Sequence, residues 1–283
     1  MSENLEVNQN AAFGSHHNTF AGTVNNYGVP AENVAGMVIE QTFKLFHQYF
    51  PLLQKEALEE VHRMLQEKLK NIPPEDIVQP SPRIAIPSLQ NASITEESEV
   101  RELYASLLAN SMNKVVKDGV HPAFIEIIKQ LSPDEAKILR YMSIFSSVPT
   151  ISLRAENKDQ SGITVINCFS NIGELMKCEK PYDIGKYFDN LERLGVIRRS
   201  GAFESFTDKS IYEPLKSHEF IKTSVYKGYK QDKIEMRGDR AEMSDFPLYL
   251  NTVASGLDRR DQTIGGFSFV VKIYAVPVVE IIG

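Results

Sequence analysis

The sequence predicts an α+β protein, with a mainly helical N-terminal domain followed by a mixed α/β domain that contains a winged-helix-like element. Three observations support this class. Apolar residues recur at helical spacing through the first half, short β-rich runs occupy the second half, and the helix–glycine–strand unit LERLGVIRR lies within that second half. We therefore expect a flexible tail at 1–29, a helical domain at 30–131 and an α+β, winged-helix-like domain at 132–283.

The first 29 residues are rich in Asn and Gly and show no helical period. Such a composition predicts a flexible tail, because too little apolar surface is present to offset the entropy of ordering. An alternative stays open. Phe13, Phe20 and Tyr27 are interleaved with glycines, which is also compatible with a short strand or a segment that docks on a partner.

A helical stripe of apolar residues begins after Pro30 and is interrupted at Pro51. Because proline disfavours helical geometry in the residue before it, the stripe predicts two helices, 33–50 and 52–70, or one kinked helix. The stripe either packs within its own domain or supports self-association, since its spacing approaches a heptad repeat. The candidate residues for self-association are Ile39, Phe43, Phe46, Phe50 and Leu53.

Residues 72–90 contain five prolines and predict an extended connector. Ser93 and Glu96 have capping-box spacing, so the next helix is expected to begin there and to end near Gly119. His121 and Pro122 open a further short helix, and residues 132–135 (Ser-Pro-Asp-Glu) give the start of another, with Ser132 as its N-cap.

The second half alternates short strands with helices. Residues 150–153 and 163–166 are predicted strands, 181–194 is a predicted helix that ends at Gly195, and 196–199 is the strand that follows it. The last residues, 267–274 and 276–282, are β-rich runs broken by Pro277. The final run is either a central buried strand or an edge strand completed by a partner.

The charge of the chain disfavours nucleic acid as a partner. Its 283 residues carry 31 Lys and Arg against 37 Asp and Glu, a formal net charge of −6, and the acidic excess lies within residues 1–130. The alternative is a winged-helix DNA-binding regulator, because the second half is neutral overall. The candidate residues for that contact are Lys186, Arg193, Arg198 and Arg199.

No catalytic constellation stands out in the sequence. It has neither a glycine-rich phosphate loop ending in Gly-Lys-Ser/Thr nor a G-x-S-x-G elbow, and its histidines and two cysteines lack metal-ligand spacing. We therefore expect a protein that is not an enzyme and uses no cofactor or metal. A second alternative is a receptor for a small anionic ligand in the Arg- and Asp-rich loop 237–261. Its candidate residues are Arg237, Arg240, Arg259 and Arg260.

Two cysteines in 283 residues cannot form a disulfide framework, and no run of about 18 apolar residues predicts a membrane span. The N-terminus is polar and acidic, unlike a signal peptide. These features predict a cytoplasmic protein without stable membrane insertion.

One stretch resembles the bacterial abortive-infection alpha family. The resemblance rests on a proline-rich connector, a helix ending in LYASLLANSM, the segment HPAFIEIIKQLSPDEA and a later helix ending in LERLGVI, and it covers roughly residues 72–199. It implies a role in antiviral defence, in which infected cells stop growing or die before phage matures. It supplies no catalytic residues and implies action by binding to a phage component, to a paired defence effector or to further copies of the chain.

Overall fold

The computed structural model describes residues 33–50, 55–145, 147–156, 161–200, 206–226 and 233–243. They form two compact units, divided between Lys129 and Gln130. The tail 1–29 and the runs 267–274 and 276–282, on which predictions were made above, lie outside the described residues.

The described part of the first unit is helical, as predicted. Both helices expected around Pro51 are present, close to their predicted bounds. The helices of this unit are α1 (Val34–Tyr49), α2 (Lys55–Leu69), α3 (Pro82–Ile94), α4 (Ser98–Ser111) and α5 (Ala123–Ile128), with short 3-10 helices at Pro74–Asp76 and Lys117–Gly119.

The prediction of an extended connector over 72–90 is wrong in its second half, where helix α3 begins. Ser81 is the N-cap of α3, and its Oγ accepts a hydrogen bond from the backbone N–H of Arg83 at 3.3 Å. Pro82 occupies the first helical position, where a proline is favoured because no N–H is needed there. Pro87 lies inside the helix. Its carbonyl accepts a 2.7 Å hydrogen bond from the side-chain amide of Asn91.

The predicted capping box of Ser93 and Glu96 is also wrong. Ser93 lies within α3, and its hydroxyl donates to the carbonyl of Gln90 at 2.7 Å. Helix α4 begins at Ser98, after Glu97, whose side chain makes no capping hydrogen bond. Because a Ser hydroxyl can bond to the carbonyl of the preceding turn, capping-box spacing alone did not distinguish the end of one helix from the start of the next.

Helix α4 forms the centre of the first unit. Its residues from Leu103 to Ser111 are all buried, and it packs against α2, α3 and α5. The helix ends at Ser111, before the boundary predicted near Gly119, and Val115 beyond its end is 74% exposed. The core around α4 includes Leu65, Leu89, Tyr104, Leu107, Leu108, Met112, Phe124 and Ile128.

The described residues of the second unit combine helices with one antiparallel sheet, which agrees with the α+β prediction. The sheet has the strand order β2-β1-β4-β3, and all of its pairings are antiparallel. The elements are α6 (Pro133–Phe145), β1 (Ser147–Glu156), β2 (Gly162–Phe169), α7 (Ile172–Leu175), α8 (Ile184–Arg193), β3 (Ile197–Ser200), a 3-10 helix (Lys209–Tyr212), α9 (Glu213–Lys216), α10 (Glu219–Tyr226) and β4 (Lys233–Met243).

One cluster of buried side chains connects this sheet to the helices near the end of the described chain. It contains Ile151 of β1, Phe169 of β2, Tyr212, Leu215 and Ile221. Gly238 of β4 lies opposite Ile151, and a Cβ at this glycine would come within 2.9 Å of the Tyr212 ring. The absence of a side chain at position 238 therefore lets Tyr212 lie flat against the sheet.

A winged-helix-like element is not confirmed. Strand β3 pairs with β4, as the two strands of a wing would. However, the chain between them contains a 3-10 helix, α9 and α10 instead of a short hairpin loop. The sheet is also larger than β1 and the β3–β4 pair, because it includes β2, the strand that lies between β1 and α7 in the chain.

None of the helices in the described ranges is both long and apolar enough to cross a membrane.

Candidate functional site

The start of α6 anchors the second unit through a reciprocal capping box. The backbone N–H of Ser132 donates to Glu135 Oε2 at 2.6 Å, and the backbone N–H of Glu135 donates to Ser132 Oγ at 3.3 Å. This confirms the predicted helix start at Ser132. Glu135 Oε1 also accepts a 2.8 Å bond from the Asn190 amide, so the cap of α6 is connected to α8.

Asp134 is a buried carboxylate that accepts hydrogen bonds from the segment between α7 and α8, from Tyr187 of α8 and from Lys137 of its own helix. It accepts hydrogen bonds from the backbone N–H of Glu179 at 2.9 Å and of Lys180 at 3.2 Å, and from the Tyr187 hydroxyl at 2.7 Å. Burial alone raises the pKa of Asp134, but these donors outweigh it and the net pKa is lowered. The Asp134 carboxylate therefore fixes the course of residues 176–183.

Two glycines allow the same segment to pack closely. A Cβ at Gly173 would lie 2.2 Å from the Pro181 carbonyl oxygen, and one at Gly185 would lie 2.6 Å from the carbonyl oxygen of Asn167. Two non-glycine residues beside α7 have positive φ angles, Cys168 at 58° and Lys177 at 51°. Backbone strain of this kind persists only where the surroundings enforce it, and it is concentrated at functional sites.

A cluster of polar and aromatic side chains from this segment, from β2 and from the start of α10 meets beside it. We call Glu174, Tyr182, His218, Phe220 and Phe169 the Tyr182 site. The Tyr182 hydroxyl donates to Glu174 Oε1 at 2.7 Å, and His218 Nε2 lies 2.8 Å from Glu174 Oε2. The Glu174 carboxylate of α7 thus holds both Tyr182, which lies between α7 and α8, and His218, which immediately precedes α10.

The aromatic rings of the Tyr182 site form a continuous stack. The ring of Tyr182 lies parallel to that of Phe220, with centroids 4.4 Å apart and planes 7° apart. Phe220 in turn stacks on Phe169, with centroids 5.3 Å apart. Phe169 belongs to the buried cluster of the sheet, so the stack runs from the core to the surface, where Tyr182 is 46% exposed.

The pKa shifts of Glu174 and Tyr182 agree with the hydrogen bond between them. The hydrogen bond from Tyr182 lowers the pKa of Glu174, burial opposes it, and His218 contributes a further lowering. The same hydrogen bond raises the pKa of the Tyr182 hydroxyl. Glu174 is therefore a carboxylate and Tyr182 a neutral donor at neutral pH, so the pair keeps its geometry.

The Tyr182 site has the chemical character of a protein-binding surface. A fixed tyrosine ring offers a large apolar face with little loss of side-chain entropy, and tyrosine is enriched at the energetic centres of interfaces. Glu174 and His218 add a polar rim, with 38% and 19% of their side chains exposed. The rim can direct a partner, while the ring supplies the contact area.

The residues predicted for self-association are largely buried in the first unit. Ile39 and Phe46 are fully buried, Phe43 is 7% exposed, Phe50 is half-buried and stacks on Phe46, and Leu53 lies outside the described residues. Their stripe therefore packs within its own unit, which was the other interpretation of the pattern. Phe43 also lines a groove of about 540 Å³ along α1 and α2, together with His47 and His62.

The residues predicted for nucleic-acid contact are engaged with acidic or amide groups. Lys186 pairs with Asp183 at 3.0 Å, and Arg193 donates to Asn190 Oδ1 and Gln130 Oε1. Arg198 pairs with Glu242. Arg199 pairs with Glu192 and Asp189, and although burial lowers its pKa, Glu192 outweighs that effect and the net pKa is raised. These pairs offset the positive charge that counterion release would require.

The arginines predicted for anion binding are not on a loop where the structure describes them. Arg237 and Arg240 belong to strand β4, which corrects the predicted loop 237–261 for its first residues. Arg240 pairs with Glu242 at 2.9 Å and lies over the Phe206 ring. Arg259 and Arg260 lie outside the described residues. Within the described part of the chain, no group of three or more His, Cys, Asp or Glu side chains is arranged to hold a metal ion.

A family model described as abortive infection alpha matches residues 53–246. The chain belongs to the abortive infection alpha family. The match extends past both ends of the stretch 72–199 that carried the resemblance, and it contains every residue of the Tyr182 site. Membership of this family indicates a part in abortive infection, the defence in which an infected bacterium gives up growth or life and so limits phage.

The other comparisons with known proteins do not extend this identification. An uncharacterized protein from the marine bacterium Alcanivorax borkumensis SK2 is similar at 20% identity, over 46% of this chain and 90% of that one, with a TM-score of 0.34. No curated protein matches the chain.

Sequence reasoning missed the Tyr182 site. Glu174 and Tyr182 are 8 residues apart, but His218 is 44 residues from Glu174, so no local motif contains all three. The only local signal was the pair of glycines, Gly173 and Gly185, that flank the segment, and a glycine does not by itself reveal close packing.

Proposed function

We propose that this protein takes part in abortive infection by binding a protein partner at the Tyr182 site, and that it does so without catalysis. The partner is a phage component or a paired defence effector, and the proposal includes action in the cytoplasm. The observation that carries it is the stack of Phe169, Phe220 and Tyr182, which holds a half-exposed tyrosine ring rigidly at the surface of the family-matched region.

Preorganisation is the physical reason for choosing this surface. A flexible tyrosine loses rotamer freedom when a partner covers it, whereas Tyr182 is already fixed by the Phe220 ring and the Glu174 carboxylate. Binding at such a residue keeps more of the favourable contact free energy. The nearby glycines and the Asp134 hydrogen bonds hold the backbone of the same segment in place.

Plating phage on a host that expresses the protein tests this function. We expect the wild-type chain to reduce plaque formation, and Tyr182→Ala to lose most of that protection, by about tenfold or more if the ring is an interface hot spot. Tyr182→Phe keeps the stacked ring and should retain protection. Tyr49→Ala is the matched control, because Tyr49 is 63% exposed and lies outside the family-matched residues.

A further variant separates binding from acid–base catalysis. A Glu–His pair is a common way to orient a general base, so a catalytic role for Glu174 and His218 would require the imidazole. His218→Gln keeps a hydrogen-bonding side chain but cannot exchange a proton near neutral pH. The binding proposal expects His218→Gln to retain protection within about tenfold of the wild type. Loss as complete as in Tyr182→Ala would favour catalysis.

A further inference from the structure

The Tyr182 site offers a partner two different groups at one place, the face of an aromatic ring and a carboxylate. Phe220 covers one face of the Tyr182 ring, with the two centroids 4.4 Å apart and the planes almost parallel. His218 meets the ring at its edge, with the planes 67° apart. Tyr182 is nevertheless 46% exposed. The second face of its ring is therefore the part that a partner reaches.

The carboxylate of Glu174 lies at the hydroxyl end of this ring and can accept further hydrogen bonds. Its Oε1 is 2.7 Å from the Tyr182 hydroxyl, and its Oε2 is 2.8 Å from His218 Nε2. A carboxylate has about four acceptor positions, so about two remain. The Glu174 side chain is 38% exposed, so a donor from outside the chain can reach them.

A cation is the group that both features favour. The face of an aromatic ring carries negative charge density and attracts a Lys or Arg side chain. A phenol that donates its hydroxyl to a carboxylate becomes more electron-rich, so the bond to Glu174 strengthens this attraction. Cations of the protein itself occupy this position on the rings of Tyr212 and Phe206. Within the part of the chain that the structure describes, no cation lies over the Tyr182 ring.

We propose that the protein partner places an arginine here, with its guanidinium stacked on the open face of Tyr182 and donating to Glu174. Arginine fits better than lysine because its guanidinium is planar, stacks on aromatic rings and presents N–H donors in a fork that matches a carboxylate. Because Glu174 Oε1 lies 2.7 Å from the phenol oxygen, one side chain can span the ring and the carboxylate. This inference rests on the proposed function and names the chemistry of the partner at the same site.

The attraction is local, because the surrounding segment is electrically balanced. Residues 174–186 carry three acidic and three basic side chains, which are Glu174, Glu179, Asp183, Lys177, Lys180 and Lys186. The net charge of this segment therefore does not draw in a basic protein, and the contact depends on the ring and on its carboxylate. The partner is defined by one exposed arginine and not by an overall positive charge.

Fluorinated phenylalanines at position 182 of the full chain test the ring contact. Successive fluorine atoms withdraw electrons from the face of the ring and weaken its attraction for a cation, but they preserve the apolar surface and favour stacking on the Phe220 ring. We expect Tyr182→Phe to protect against phage, trifluorophenylalanine to protect less, and pentafluorophenylalanine to lose protection by about tenfold or more. A purely apolar contact would give equal protection across the series.

The substitution Glu174→Gln tests the carboxylate. Glutamine keeps an oxygen that accepts a hydrogen bond from the Tyr182 hydroxyl but carries no charge, so we expect protection to fall by about tenfold. Glu179→Gln is the matched control, because Glu179 is an exposed acidic residue of the same segment, and it should retain protection. If Glu174→Gln loosens the segment by hydrogen exchange, the fluorinated series decides, since it leaves Glu174 in place.

The outcomes separate this inference from the proposed function. Loss of protection in Tyr182→Ala with full protection by pentafluorophenylalanine or by Glu174→Gln would overturn the arginine contact and leave the protein-binding site standing. Equal loss in Glu174→Gln and Glu179→Gln, or complete loss in Tyr182→Phe, would also overturn it, because general charge or the hydroxyl would then carry the contact. Full protection by Tyr182→Ala would overturn both proposals.

Discussion

At the scale of single residues, Asp134 decides how the segment that carries the Tyr182 site is held. Four donors converge on its carboxylate, two from the backbone and one each from Tyr187 and Lys137, and the side chain is 8% exposed. Asp134→Ala leaves these donors without their acceptor, so we expect it to lower the free energy of unfolding of the second unit by about 3 kcal/mol or more. Hydrogen exchange with mass spectrometry measures the two units separately in one chain.

A matched control for Asp134 is Asp183. It pairs with Lys186 on the surface, and the side chain of that lysine is 77% exposed. Asp183→Ala should therefore change the free energy of unfolding by less than about 1 kcal/mol. Equal effects at the two positions would show that the hydrogen bonds of Asp134 do not anchor the segment.

The same residue gives the second unit a dependence on pH. The folded-state pKa of Asp134 is lowered from its usual 3.8, so its carboxylate stabilises the fold above the unfolded pKa, and the stabilisation is lost as the pH falls through the folded pKa. We expect the free energy of unfolding of the wild type to fall on going from about pH 6 to about pH 3 more steeply than that of Asp134→Asn, which cannot titrate. Urea titrations followed by circular dichroism measure both slopes. Parallel slopes would contradict this account of Asp134.

At the scale of elements, α7 and the turn after it are packed around Gly173. A Cβ at this position would overlap the Pro181 carbonyl, which is backbone and cannot rotate away. We expect Gly173→Ala to lower the free energy of unfolding by about 1–3 kcal/mol and to reduce hydrogen-exchange protection in residues 172–188. Because Tyr182 follows Pro181, its stacking on Phe220 should loosen as well.

Gly36 in α1 is the control for this substitution. Nothing lies within 4 Å of a Cβ built at Gly36, and the position is helical. Gly36→Ala should raise the stability of the first unit by up to about 1 kcal/mol. A neutral or stabilising effect of Gly173→Ala would show that the turn can shift without cost.

The elements also show what the sequence could and could not predict. The helix starting at Ser132 was predictable because the cap is entirely local, and the structure contains both of its hydrogen bonds. Helix α3 was not predicted, because its prolines favoured an extended chain. Its start depends on Ser81, which acts as the N-cap before Pro82. The strands β1 and β2 were predictable from β-branched runs. The place of β1 between β2 and β4 was not, because it depends on pairing with residues 233–242, which are distant in the chain.

At the scale of the whole molecule, family membership could be suspected from a few ordered segments, and the family match extends it to residues 53–246. The candidate site could not be found in the same way, because its parts meet only in the folded second unit. The predicted apolar stripe of α1 was correct as a pattern, but its side chains fill the core of the first unit. The exposed candidate for binding that the described residues support best is instead the stacked ring of Tyr182.

Site-specific photo-cross-linking during infection tests the central claim most directly, that Tyr182 contacts a protein partner. A photoreactive phenylalanine analogue keeps an aromatic side chain at position 182, and the same analogue at position 49 is the control on an exposed tyrosine outside the family-matched region. The account predicts one discrete cross-linked species from position 182 in infected cells, absent from position 49 and reduced by His218→Ala, which removes part of the polar rim. Identical patterns from both positions, in cells where the chain still protects against phage, would contradict it.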